Sequence, residues 1–218
     1  MAIIHHTTLK PTKLELLTDW LPSRPWYHGG SGAPVLTKSG GFRLDDPEGE
    51  VGIEFMVATD TSTTEPTAYL VPLTYRGAPL DGAEHALIGT MEHGVLGKRW
   101  VYDGCHDPVL VAELLSLMEG RARAQAQSIN DTPDPEVVHS YSGAPFTLDG
   151  FTPEPADDAE GTRLLLPHGT VLHVHRVLAP VPENPPLRPE GALGHVARGW
   201  QAPDGSRPAA LFMTLRTA

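Results

Sequence analysis

Twenty-two prolines and twenty-two glycines punctuate this 218-residue chain and keep every regular element short. Proline removes a backbone donor and fixes φ, while glycine loses the most backbone entropy on ordering. A chain interrupted this often folds as brief elements joined by turns, which excludes long helical bundles and coiled coils. Nine prolines fall in residues 1–132 and thirteen in residues 133–218. The change comes at INDTPDPEVV (129–138), where acids and Asn flank two prolines with the chemistry of a linker or turn. The expected organisation is two domains, residues 1–130 and residues 137–218.

Helix and strand signals alternate in the first part. Thr12-x-x-Glu15 has the form of a capping box, and Leu14, Leu17 and Leu21 follow at helical spacing until Pro22 and Pro25. Phe42 to Leu44 reads as a strand, and Val51, Ile53, Phe55 and Val57 alternate as a half-buried strand does. Tyr69 to Tyr75 is a further strand, whose Pro72 suggests an edge or a bulge, and Lys98 to Tyr102 is a fourth. Asp107-Pro108 then pairs an N-cap with proline at the first helical position, opening a helix through VLVAELLSLMEGRARAQ. Strand signals dominate the second part, at Val137 to Tyr141, Arg163 to Leu166, Thr170 to Val177, Gly194 to Trp200 and Ala209 to Arg216. The stretch PVPENPPLRPEG (180–191) is too rich in proline for a helix. The predicted class is α+β: a small antiparallel sheet packed by two helices, followed by a mostly β region.

The formal net charge of −11 disfavours nucleic acid and anionic membranes as partners. Cys105 is the one cysteine, which excludes an internal disulfide and fits a reducing compartment. The N-terminal twenty residues lack a signal-peptide core, and Val109 to Met118 is too short to span a bilayer. A soluble cytoplasmic protein is expected.

Motifs for chemistry are scarce. There is no phosphate-binding loop, no dinucleotide fingerprint and no G-x-S-x-G nucleophile elbow, so His28-Gly29-Gly30-Ser31-Gly32 reads as a glycine turn. His168, His173 and His175 form the densest histidine cluster, and on a strand His173 and His175 share a face that would suit Zn²⁺ or Ni²⁺. No third ligand has diagnostic spacing, so solvated histidines and no metal are expected. His5-His6 reads as a terminal feature. Cys105 reads as a small buried residue of a strand-to-helix turn. The acidic groups Asp45, Asp46, Glu48 and Glu50, and Asp157, Asp158 and Glu160, read as solvated turns. Trp26, Tyr27 and His28 in the proline-rich bend are the candidate ligand residues, because aromatics there would either stack on a sugar or anchor the first helix to the sheet.

Four segments in series, DWLPSRPWY (19–27), FMVATD (55–60), YLVPLTYR (69–76) and WVYDGCHDPVLVAELLSLMEG (100–120), resemble the maltokinase N-terminal cap domain and its stand-alone actinobacterial relatives. The order of elements is similar over residues 12–125. The resemblance continues more faintly in GTVLHVHRVLAPVPENPPL (169–187), which looks like part of a kinase N-lobe. On that alignment His173 stands where the nucleotide-binding lysine of the family stands. No lysine follows Lys98, and a mostly neutral imidazole does not replace a fixed ammonium. The resemblance therefore implies a pseudokinase-like remnant with no catalytic residue and no cofactor. It also implies a non-catalytic binding or regulatory role near α-glucan, maltose or trehalose metabolism, with a protein partner from glycogen or trehalose metabolism. Two alternatives stand beside it: a sugar- or nucleotide-binding module with a vestigial cleft, and a metal-dependent enzyme using the histidine cluster.

Overall fold

The computed structural model describes residues 9–30, 32–127, 132–181 and 189–218. His5-His6, residues 128–131, which include the start of the expected linker, and residues 182–188 of the proline-rich stretch lie outside the described residues.

The first sheet contains β1 (Leu9–Lys10), β2 (Leu36–Leu44), β3 (Gly52–Asp60), β4 (Thr67–Arg76), β5 (Leu87–His93) and β6 (Gly97–Asp103). Its order is β1-β5-β6-β4-β3-β2, and every pairing is antiparallel. This departs from a simple meander, because the β5–β6 hairpin enters with its second strand next to β4. Helix α1 (Lys13–Trp20) begins at the expected capping box. Thr12 Oγ1 accepts from the Glu15 N–H at 3.2 Å, and Glu15 Oε2 accepts from the Thr12 N–H at 2.6 Å. Helix α2 (Pro108–Met118) begins at Asp107, whose carboxylate accepts from the Val109 N–H. It ends sooner than the sequence suggests. Gly120 takes φ +76°, the left-handed conformation that closes a helix, and the chain turns extended. Gln125 then exchanges backbone hydrogen bonds with Arg43, so the last residue of the expected helix instead lines the free edge of β2.

The second sheet contains β7 (Val138–Tyr141), β8 (Ala156–Asp158), β9 (Gly161–Leu166), β10 (Thr170–Val174), β11 (Gly194–Gly199) and β12 (Ala209–Thr217). Its order is β7-β11-β12-β10-β9-β8, again antiparallel throughout. The described chain is thus α+β, with an N-terminal helix on an antiparallel sheet.

The first sheet is buried on both faces. One face receives α1 and the following bend, with Leu17, Trp20 and Trp26 packed against Met56, Ala58, Tyr69 and Val71. The other face presents Ile53, Phe55, Val57 and Leu70 to α2 and to Val196, Phe212 and Leu215 of the second sheet, in one continuous apolar cluster. Phe42 stacks on Phe55 at 4.5 Å and faces Phe212 at 6.3 Å. The expected half-buried alternation of β3 is therefore replaced by burial along nearly its whole length, because layers lie on both sides of it.

Pro72 lies in an interior strand, paired with Phe55 of β3. Its other side explains how it is tolerated. Upstream, the Leu70 N–H donates to the Arg176 carbonyl at 2.8 Å and the Leu178 N–H donates to the Ala68 carbonyl at 2.9 Å. Downstream, Leu73 to Arg76 pair with β6. Pro72 shares the parity of Leu70 and sits between these two neighbours, where the strand has no partner for an N–H.

Close backbone approach fixes one glycine. Gly41 has φ +119°, and a Cβ there would lie 1.9 Å from the Phe55 carbonyl oxygen across the β2–β3 pair. Gly41→Ala is expected to lower the unfolding free energy by about 2 kcal/mol or more, as read by urea denaturation. Gly32→Ala, which meets no atom within 4 Å, serves as the control and is expected to stay within about 0.5 kcal/mol of the parent.

Candidate functional site

The most concentrated polar chemistry lies where the two sheets meet. Arg176 follows β10 in the segment HVHRVLAP, at the point where the chain leaves the second sheet to line β4. Its side chain is fully buried. Nη2 donates to both oxygens of Asp103, at 2.8 and 2.6 Å, and approaches the Cys105 Sγ at 3.3 Å. Nε donates to Thr162 Oγ1 at 2.7 Å, and the guanidinium carbon lies 5.0 Å from the centre of the Trp26 ring. Asp103 ends β6 and Thr162 lies in β9, so one side chain joins both sheets and the aromatic bend. Burial alone would pull the Arg176 pKa down, but the Asp103 carboxylate raises it above the usual guanidinium range. Burial pushes the Cys105 thiol well above its ordinary value, which makes it a poor nucleophile. The expectation of a small buried residue at Cys105 matches this placement. Arg176 Nη1 and Trp26 Nε1 are buried without a hydrogen-bond acceptor among the described residues.

A second cluster surrounds Glu54 on the α1 face of β3. Lys13 and Lys38, two of the four lysines in the sequence, both pair with this buried carboxylate. The Tyr75 hydroxyl donates to it at 2.7 Å and the Gln127 side-chain amide at 3.0 Å. Burial pushes the Glu54 pKa up, but the two ammonium groups and the hydrogen bonds outweigh it and bring the value down to about 2.

The aromatic bend separates by residue. Trp26 is completely buried, its ring set against Trp20, Tyr69 and the Arg176 guanidinium, so it has no free face on which a sugar would stack. Tyr27 is half-buried, and its hydroxyl donates to Asp60 Oδ2 at 2.8 Å. Burial and the Asp60 carboxylate together push its pKa up to about 12. His28 is exposed, held by its backbone N–H donating to the Tyr69 hydroxyl at 3.0 Å.

His173 and His175 do share a face, with ring centres 4.3 Å apart. His175 Nε2 lies 3.2 Å from Thr214 Oγ1. Burial lowers both pKa values, to about 4 at His175, where His173 and Arg216 add to the effect. His168 stands apart in the turn after β9, at φ 62°. Among the described residues, no group of three or more His, Cys, Asp or Glu is arranged to hold a metal ion.

The acidic turns divide in a similar way. Asp46 is buried, contrary to the expectation of a solvated turn, because its carboxylate accepts from the backbone N–H groups of Glu48, Glu50 and Val51. Asp158 instead pairs with Arg163 near the surface. Asp107 is fully buried between the start of α2 and Arg76, which donates through Nε and Nη2 at 2.7 Å each.

Sequence reasoning passed over Arg176 and Glu54. Each is a lone charge in an otherwise apolar strand pattern, which is the signal a buried ion pair leaves.

Residues 20–107 match the family model described as the maltokinase N-terminal cap domain. The matched segment opens at the last residue of α1, takes in β2 to β6, and closes at the N-cap of α2. No curated protein matches the chain. No helix among the described residues is long and apolar enough to cross a membrane.

Two outcomes test these clusters. Asp103→Ala is expected to lower stability by about 3–5 kcal/mol, because it strands a guanidinium in the core, whereas Asp103→Leu combined with Arg176→Met is expected to recover much of that loss in urea titrations. For Glu54, the folded pKa lies below the ordinary 4.5. Its contribution is therefore complete above that pH and disappears as pH falls toward about 2. The parent is expected to lose on the order of 3 kcal/mol more than Glu54→Gln over that interval, as measured by denaturation at stepped pH.

Proposed function

We propose that this chain is a non-catalytic binding or regulatory module of the maltokinase-cap type, acting beside cytoplasmic enzymes of α-glucan, maltose or trehalose metabolism. The observation that carries the reading is the cap-domain match over residues 20–107. Side-chain placement supports it. A general acid or base must reach its substrate. Asp103 and Asp107 are instead buried and ion-paired within the fold, and the Cys105 thiol is enclosed.

In the same reading the second sheet is a degenerate kinase N-lobe, with His173 in the place of the phosphate-gripping lysine. His173 lies on β10, an interior strand flanked by β9 and β12. Its depressed pKa keeps the imidazole neutral at pH 7, so it supplies no fixed positive charge for a triphosphate. With Trp26 in the core, recognition at the aromatic bend falls to Tyr27 and His28. A protein surface suits them better than a sugar does, because stacking requires an open aromatic face and Tyr27 is tied down by Asp60 and by Tyr69, 5.4 Å from its ring.

The expected result with ATP and maltose is no maltose phosphate, and millimolar ATP, maltose or maltoheptaose is expected to leave the melting temperature unchanged. Affinity capture from the native host is expected to return an enzyme acting on glucan or trehalose, which binds again as a purified pair and loses affinity with Tyr27→Ala plus His28→Ala. Phosphate transfer to maltose overturns the non-catalytic reading. Capture of unrelated proteins alone overturns the metabolic assignment.

A further inference from the structure

His85 and His106 are twenty-one positions apart in sequence and meet at the surface. His85 lies in the short helical turn Glu84–Ala86 within the β4–β5 connection, and His106 lies in the turn Gly104–His106 that leads into α2. His85 Nε2 and His106 Nδ1 are 3.2 Å apart, and the rings are nearly perpendicular at 82°. Neither residue belongs to the histidine cluster that the sequence suggests.

The geometry fits a shared ion. Two imidazole nitrogens bound to one tetrahedral Zn²⁺ at the usual bond length stand about 3.3 Å apart. A head-on N–H···N hydrogen bond of the observed length would hold the ring centres about 5.6 Å apart, whereas they are 4.7 Å apart here. The two rings are therefore inclined to each other rather than aligned end to end. The chemical setting agrees. His85 is exposed, so an ion has a path from solvent. Imidazole is a ligand of intermediate softness, suited to late first-row divalent ions rather than to Mg²⁺ or Ca²⁺.

We propose that His85 and His106 form a two-imidazole site for a divalent transition ion of the Zn²⁺, Ni²⁺ or Cu²⁺ type, with water completing the coordination. The site is independent of the cap-type reading, because it uses neither the aromatic bend nor His173. An ion there would tie the connection between β4 and β5 to the turn that carries Cys105 and follows Asp103. Binding would therefore stiffen the junction next to the buried Arg176 pair.

The test uses the full chain without an affinity tag, in a background carrying His5→Ala and His6→Ala so that the terminal histidines do not contribute. ZnSO₄, NiSO₄ and CuSO₄ are titrated separately by calorimetry, with MgSO₄ as the control. One ion per chain is expected, with affinity rising from Ni²⁺ to Cu²⁺ and exceeding that for Zn²⁺ at Cu²⁺, and no heat with Mg²⁺. His85→Ala is expected to weaken Zn²⁺ binding at least tenfold and to abolish the Zn²⁺-dependent rise in melting temperature. His173→Ala is expected to leave both unchanged. In NMR spectra, sub-stoichiometric Cu²⁺ is expected to broaden the His85 and His106 ring signals first, a readout that does not depend on any variant folding. Absence of Zn²⁺ and Cu²⁺ binding overturns the proposal. So does Zn²⁺ binding that survives His85→Ala, or first broadening at His173 and His175.

Discussion

The arrangement of this protein depends on one guanidinium placed where water does not reach. Arg176 is held by Asp103 from the first sheet and Thr162 from the second, and the Trp26 ring lies against it. A buried charge without a partner is costly, so the carboxylate, the hydroxyl and the ring must all be in place before the arginine can be enclosed. The requirement acts on backbone as well as side chains. It draws residues 176–178 away from the second sheet and onto the upstream half of β4, where the Leu70 and Leu178 amides find carbonyl acceptors. Pro72 sits where that borrowed partner ends and β6 begins. The apolar cluster shared by α2, Phe55 and Phe212 supplies the bulk of the driving force, and the arginine links Asp103 of one sheet to Thr162 of the other.

Charge is used similarly elsewhere. Glu54 gathers Lys13 from α1 and Lys38 from β2, and Asp107 caps α2 while receiving both nitrogens of the Arg76 fork. Among the described residues, Lys13, Lys38, Arg76 and Arg176 all pair with buried carboxylates. These charged groups position helices on sheets.

Local signals in the sequence were legible where a single residue type does a single job. Thr12 with Glu15 and Asp107 with Pro108 mark the two helix starts, and the structure puts caps at both. The end of α2 was not legible, since RARAQ continues a helical composition and only the φ of Gly120 stops it. Strand β5 was missed because one of its seven residues, Met91, is buried and the rest show no alternation. It exists because β6 offers it a hairpin partner. The aromatic bend was legible as a cluster but not as a geometry. Burial removes Trp26 from any ligand and leaves Tyr27 and His28 at the surface, and this follows from the arrival of Arg176 from residues far away in sequence. The His85–His106 encounter was equally hidden, because it depends on how the β4–β5 connection folds back over the start of α2.

The claim that the two sheets form one unit through Arg176 is tested most directly by native-state hydrogen exchange at the seam. The Leu70 and Leu178 amides donate across it, and the β10 amides lie within the second sheet. If the account is right, seam and sheet amides exchange with the same free energy and the same denaturant dependence, because the seam opens only when the whole molecule unfolds. If Leu70 and Leu178 exchange through a low-energy opening while both sheets remain protected, the sheets are separate units and the arginine does not join them.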